Sequence, residues 1–421
     1  MKRTLFAAIL LLSVTCWLSP AHAQLKPRPD AFPPVEEPSP KALTMATTVA
    51  QMANWDRYPT YQVYIDMMQG WANDYPSLCR LDTIGTSVSG RLILSLEITA
   101  RPDDTTLPEF FYSSSIHGDE ITGYVMMLHL IDTLLHGYGY NPQYTSLIER
   151  TLICINPLAN PDGTYYGGDN SVQYSRRYNA NNVDLNRNYP NPFGSAKPAL
   201  QQENAAMISY FERHNFRLSA NLHGGAEVMN YPWDSYTSAQ LAHPRSDWWI
   251  GVCQRFVDTS RTYNPNHFND TYSCGYTAGG DWYVITGGRQ DYVNYYYNCL
   301  ELTMELSSTK KLSTTQLPSY WNFLQHSLVN YIEEIHSLPG GDPTGISDLR
   351  LPKSTLNVFP NPASDRITVF GAAGDAVLYD ATGRPVATYT LTGSDIIPLG
   401  DMPSGIYLLR AGNKSATVLK H

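Results

Sequence analysis

The chain has 421 residues, 43% of them apolar and 16% charged, with a net charge of −9 at pH 7. That length exceeds one ordinary domain, and the apolar share is enough for a sizeable core, which excludes a disordered chain. The dispersed excess of carboxylates argues against nucleic acid as a partner and suits cationic ones.

Lys2-Arg3, an apolar run over 5–18 and Ala21-His22-Ala23 have the layout of an export signal over residues 1–23. The run is too short and wrongly flanked to span a membrane, and no other segment is apolar enough, so no transmembrane segment is expected. Cys16 as a lipoprotein site is the lesser alternative, because bulky Thr15 precedes it. Residues 24–54 open with Pro27, Pro29, Pro33, Pro34, Pro38 and Pro40 and read as a linker or short pro-segment. Beyond the signal lie Cys79, Cys154, Cys253, Cys274 and Cys299, an odd set that allows at most two bridges. None forms a C-x-x-C pair, so a cysteine metal site is not expected.

A helix is expected over 61–72, with Tyr64, Met68 and Trp71 on one face. Strands follow over 80–84, 92–98 and 110–114, with a turn at 87–90, then a helix over 120–136. Further strands read at 151–156 and 218–222, and a terminal helix at 321–336. Strands alternating with helices give an α/β domain over 55–338 with a parallel or mixed sheet, whose sites gather at strand ends. Leu338-Pro339-Gly340-Gly341-Asp342-Pro343 marks a boundary, with a linker over 339–350. Residues 351–421 then read as a small all-β, sandwich-like unit, with strands near 356–359, 366–370, 376–379, 405–409 and 416–419.

Several motifs carry chemistry. His117 and Glu120 sit three apart at a strand-to-helix turn, and His223 ends a separate strand. Two histidines and a glutamate can hold one zinc ion and leave a position for water. Glu301 and Glu305 are both candidates to take that water's proton. Between the ligands, Asn186-Arg187 offers an amide and a planar guanidinium suited to a peptide's terminal carboxylate. Arg177 can stabilise the oxyanion that develops on the scissile carbonyl.

With these motifs the span 55–338 resembles the zinc metallocarboxypeptidases of the funnelin type, and within them the carboxypeptidase N/E subfamily. The resemblance rests on His117-Gly118-Asp119-Glu120, Asn160-Pro161-Asp162-Gly163, Asp184-Leu185-Asn186-Arg187-Asn188, Leu222-His223-Gly224-Gly225 and Glu301-Leu302-Thr303-Met304-Glu305-Leu306-Ser307. It implies a mixed eight-stranded sheet flanked by helices, and Glu305 as the general base with Glu301 structural. It also implies that Tyr283 folds over the bound peptide. Asp234, with Gln290 at the pocket base, is implied to pair with a C-terminal Lys or Arg. Arg289, where many relatives are uncharged, would weaken that preference if it pointed into the pocket.

Residues 351–421 stand where such enzymes carry a transthyretin-like domain. They resemble instead the C-terminal sorting domain of the type IX secretion system of Bacteroidota, through Val358-Phe359-Pro360-Asn361-Pro362-Ala363, Leu378-Tyr379-Asp380-Ala381-Thr382-Gly383 and Ser404-Gly405-Ile406-Tyr407-Leu408-Leu409. The expectation is an exported peptidase, secreted or on the surface of a Gram-negative bacterium, that takes peptide C-termini and engages secretion machinery. Its rivals are the same metal site acting on non-basic C-termini or cell-wall peptides, and a catalytically idle binding module.

Overall fold

A computed structural model of the protein describes residues 43–193, 199–297, 299–338, 356–359, 361, 363–412 and 414–420. The expected signal at 1–23, the first part of the proline-rich segment and the linker at 339–350 lie outside them. Eight strands form one sheet: β1 (Cys79–Thr86), β2 (Leu92–Ile98), β3 (Glu109–Ser114), β4 (Leu152–Asn156), β5 (Phe216–His223), β6 (Ala226–Tyr231), β7 (Tyr276–Ala278) and β8 (Leu300–Ser307). Their order is β1-β2-β4-β3-β5-β8-β6-β7. The central β4, β3, β5 and β8 run parallel, and antiparallel pairs on either side make the sheet mixed.

Nine helices join the sheet: α1 (Tyr61–Asp74), α2 (Thr122–Gly137), α3 (Pro142–Arg150), α4 (Pro161–Thr164), α5 (Gln202–Arg213), α6 (Ser246–Tyr263), α7 (Gly279–Trp282), α8 (Arg289–Tyr296) and α9 (Leu317–Glu333) among the described residues. Thr60 caps α1 by accepting the Val63 N–H, and Asn141 caps α3 ahead of Pro142. The helix expected from residue 120 starts only at Thr122, which leaves Glu120 in the loop. Within the segment read as a linker, Leu43 and Met52 are buried in the core, and Met45–Ala46 pairs in parallel with Tyr58–Pro59. The cysteines beyond the signal are all unbridged, and all but Cys274 are buried.

Strand alternation gives the two faces of the sheet different chemistry. On one face Leu218, Ala220 and Leu222 of β5 and Leu300, Leu302, Met304 and Leu306 of β8 share a core with α1, α2, α6 and α9. The opposite face of the same strands carries Ser219, Asn221, His223, Glu301, Thr303 and Glu305. There a smaller core of Phe111, Tyr210, Phe211, Tyr292 and Val293 lies under α5 and α8. Central parallel strands are buried on both sides and usually apolar on both, so this polar row is costly unless partnered.

Its inner end is partnered by Arg289 at the start of α8. Arg289 Nε and Nη2 donate to Glu301 Oε1 and Oε2 at 2.9 and 3.1 Å, and both side chains are wholly buried. Ser219 Oγ donates to the same carboxylate at 2.8 Å.

The C-terminal unit is antiparallel: β9 (Asn357–Phe359), β10 (Arg366–Asp380), β11 (Pro385–Pro398), β12 (Gly405–Ala411) and β13 (Lys414–Lys420). Two strands expected at 366–370 and 376–379 are one strand, β10, with a register irregularity after Phe370. The turn at Asp380–Gly383 forms as expected, with Gly383 at φ +82°.

The buried ion pair gives a stability expectation. Arg289→Met should lower the unfolding free energy in urea by about 3–5 kcal/mol, because it strands Glu301. Arg289→Met combined with Glu301→Leu should recover most of that loss. Simple addition of the two single losses would contradict the pairing.

Candidate metal centre

β3 and β5 pair in parallel with Ser114 opposite Leu222, so both strands release their next residues at one edge of the sheet. His117 and Glu120 come from the loop after β3, and His223 ends β5. Nδ1 of His117 and of His223 lie 2.9 and 2.8 Å from Glu120 Oε2, and 3.1 Å from each other. All three side chains are buried, and their donor atoms converge within 4.8 Å. This donor set fits zinc, which takes neutral imidazoles and a carboxylate and keeps a fourth position open. Burial pushes the His223 imidazole down to about 4. Burial opposes ionisation of Glu120, yet the two histidines beside it hold its carboxyl well below the usual range.

Each histidine is oriented from behind. His117 Nε2 lies 3.2 Å from Asp184 Oδ1, and His223 Nε2 lies 2.9 Å from the Asn221 side-chain amide. With Nδ1 facing the common point, His117 Nε2 carries the hydrogen and donates to Asp184 Oδ1, whereas at His223 the contact is to Asn221 Nδ2, which donates to His223 Nε2. Arg177 Nε donates to Asp184 Oδ2 at 2.9 Å, and its Nη1 lies 3.5 Å from Glu120 Oε1. Burial acts to raise the Asp184 carboxyl, but His117, Arg177 and Arg187 together hold it well below its ordinary value.

Glu305 reaches the centre through register. It stands opposite His223 across the β5–β8 pair and opposite Val228 on β6, and is 7% exposed. Glu301 is on the same face but about 13 Å farther along the strand, four residues at roughly 3.3 Å each, where Arg289 occupies it.

The residues expected to meet substrate lie on the loop 184–189, after β6, after α7 and at the start of α8. Asp184 accepts the Asn186 N–H, and Arg187 Nη1 donates to the Asn186 carbonyl at 2.9 Å. Asn186 Oδ1 accepts the Arg289 N–H at 2.9 Å. Gln290 Nε2 donates to Asp234 Oδ1 at 2.8 Å, and the Asp291 carboxylate accepts the Asp234 and Ser235 N–H groups. Burial pushes Asp291 up to about 6 against the pull of those two donors. Glycine is required beside Asp234: a Cβ on Gly279 would lie 1.9 Å from Asp234 Oδ1. One on Gly288 would lie 3.3 Å from Asp234 Oδ2 and 3.7 Å from Asn186 Oδ1, so these two side chains face one space. Tyr283 follows α7, half-buried and edge-on to Trp282. Arg289 is turned away to Glu301 and the Ala220 carbonyl.

Sequence reading gave Asp184 and Asn221 no role, although an amide inside a buried strand and an acid heading the Asp184-Leu185-Asn186-Arg187 run were visible signals. A second convergence of donors, Asp82, Glu97 and His214, is balanced by ion pairs to Arg213 and Arg80 and is read as structural.

Residues 64–326 match the family model for zinc carboxypeptidases, and residues 357–421 match that for a secretion system C-terminal sorting domain. The chain is 36% identical over 303 residues to carboxypeptidase M of Mus musculus, covering 68% of each. It is 32% identical over 319 residues to carboxypeptidase D of Mus musculus, covering 71% of this chain and 23% of that protein. The chain thus spans about a quarter of the length of the carboxypeptidase D relatives that it matches. Its fold is similar to that of thrombin activatable fibrinolysis inhibitor, with a TM-score of 0.60, 16% identity, and 70% of this chain and 78% of that one covered.

Protein stripped by a chelator should take up one zinc ion per chain on titration, read by metal analysis. His223→Ala should weaken that uptake by more than the 10–100-fold typical of an outer-sphere change. Unchanged zinc affinity in that variant would place the metal elsewhere.

Proposed function

The chain belongs to the zinc carboxypeptidase family, and on that premise we propose that it is an exported enzyme removing C-terminal Lys or Arg from peptides. The observation that carries the basic preference is the buried Asp234 carboxylate, held by Gln290 and by the Asp291 grip on its backbone, in a space shared with Asn186. A cationic side chain entering that space exchanges water for a charge-assisted hydrogen bond worth about 1.5–3 kcal/mol, or roughly ten- to hundredfold in specificity. An apolar one would bury the carboxylate without that return. Arg289 does not offset this preference, because its charge is matched by Glu301.

In this reading Arg187 and Asn186 receive the terminal carboxylate, Tyr283 closes over the peptide end, and Asp234 with Gln290 receives the side chain. Held by His117, Glu120 and His223, zinc would supply a Lewis acid for the scissile carbonyl and lower the pKa of water. Glu305 takes that water's proton and delivers it to the leaving amine. Arg177 faces the negative charge that develops on the carbonyl oxygen. The sorting domain implies secretion, and with the expected signal at 1–23 it supports delivery to the surface or exterior of a Gram-negative bacterium. No helix among the described residues is long and apolar enough to cross a membrane.

Matched peptides ending in Arg, Lys, Leu, Phe and Glu test the specificity. Arg and Lys should lead Leu by at least tenfold in kcat/KM, and Asp234→Ala should erase that lead with little change on Leu. A wild-type preference for Leu would refute the basic preference and leave a carboxypeptidase of other specificity.

Division of labour in the cleft is open to a kinetic test. Arg187→Ala should chiefly raise KM, since its ion pair forms before the chemistry, and Arg177→Ala should chiefly lower kcat. Glu305→Gln should retain zinc and lose about 10²–10⁴-fold in kcat. Normal turnover in that variant would remove Glu305 from the base role.

A further inference from the structure

Lys310, in the turn after β8, sits beside the metal centre without a role in the reading above. Its carbonyl accepts the Ile121 N–H at 3.0 Å, tying the turn to the residue that follows Glu120. Its stem crosses Gly225, where a Cβ would lie 3.2 Å from Lys310 Cγ and where φ is +110°, a conformation that favours glycine. Its ammonium ends 3.3 Å from Asp119 Oδ2 and 3.5 Å from Glu120 Oε1, with the side chain 33% exposed.

The two oxygens of Glu120 are thereby sorted. Oε1 faces two cations, Lys310 Nζ and Arg177 Nη1, each at 3.5 Å. Oε2 faces the two imidazole Nδ1 atoms at 2.8 and 2.9 Å. A carboxylate has no intrinsic preference between its oxygens, so the sorting comes from these neighbours. We propose that Lys310 is a positioning residue for the metal centre, holding the Glu120 carboxylate in place with Oε2 beside the two imidazole Nδ1 atoms.

Two effects compete in this arrangement. A cation so close to a dication would weaken metal binding by repulsion, whereas a fixed ligand strengthens it by being ordered beforehand. Asp119 decides the contest: its carboxylate matches the Lys310 charge, so the pair is nearly neutral toward the metal and its ordering effect is what remains. Removing the ammonium would also take the ion pair from Asp119 and leave Glu120 Oε1 with Arg177 as its remaining cation. Lys serves here as a compact point charge with several donors, able to engage both acids at once.

The inference rests on the metal-centre reading, and zinc affinity of the full chain tests both separately. Wild type, Lys310→Met and Lys310→Arg are stripped of metal, checked for thermal unfolding in the apo state, and titrated with zinc against a competing chelator. Lys310→Met should unfold within a few degrees of wild type yet bind zinc about 10–100-fold more weakly. Lys310→Arg should return to within about threefold of wild type. Should the Met variant fail to fold, Lys310→Gln, which keeps an amide but no charge, takes its place with the same expectation. Equal or tighter zinc binding without the ammonium overturns the proposal. Failure of the wild type itself to bind zinc would instead overturn the metal-centre reading.

Discussion

The parallel pairing of β5 with β8 is the constraint on which the rest of this chain depends. It sets Glu305 level with His223, while the pairing of β5 with β3 releases the loop of His117 and Glu120 at the same edge. Side-chain direction alternates along a strand, so a slip of one residue would turn His223 and Asn221 into the apolar core and Leu222 toward the metal donors. Such a shift is resisted by Leu218, Ala220, Leu300, Leu302 and Met304, which are fully or almost fully buried on the other face. The hydrophobic core and the candidate centre are therefore two readings of one register.

Burying so many carboxylates near one point is tolerable because cations are interleaved with them. Glu120, Asp119 and Asp184 are met by Lys310 and Arg177, and Glu301 by Arg289. Each contact is worth little beyond the desolvation that it offsets; its effect is to leave few arrangements in which every charge is matched. The net acidity of the chain thus says little about its centre, where the balance is local.

How much of this was legible in the sequence depended on whether apolar pattern and chemistry agreed. Runs such as 92–98 and 110–114 read as strands because they are short and rich in apolar residues, and the α/β class with a mixed sheet followed from them and from the family resemblance. Strand β7 has only Tyr276–Ala278 to announce it, and β8 alternates apolar with polar residues although both of its faces are buried. Helix α8 buries Arg289, Gln290, Asp291 and Asn294, so it lacks the apolar stripe by which helices are found. The candidate donors stood out because few residue types bind zinc. The groups that orient them did not, since Asp184, Asn221 and Lys310 become neighbours only once distant strands and loops are brought together. The direction of Arg289, open in the sequence, follows from Glu301 four residues ahead of Glu305 on the same strand face.

The first turn of α8 places three separate duties on consecutive residues. Arg289 neutralises Glu301 and steadies Asn186, Gln290 holds the Asp234 side chain, and Asp291 holds the Asp234 backbone. Segment exchange is a common way to move a selectivity from one scaffold to another, and here it would be a poor one. Importing a whole turn would alter the surroundings of Asp234, the hold on Asn186 and the stability of the sheet in a single stroke. Room for gradual change is left mainly at position 290, flanked by two residues whose obligations lie elsewhere. A lineage of such chains would thus drift in preference through one side chain and the loops around it, while the helix beneath stayed fixed.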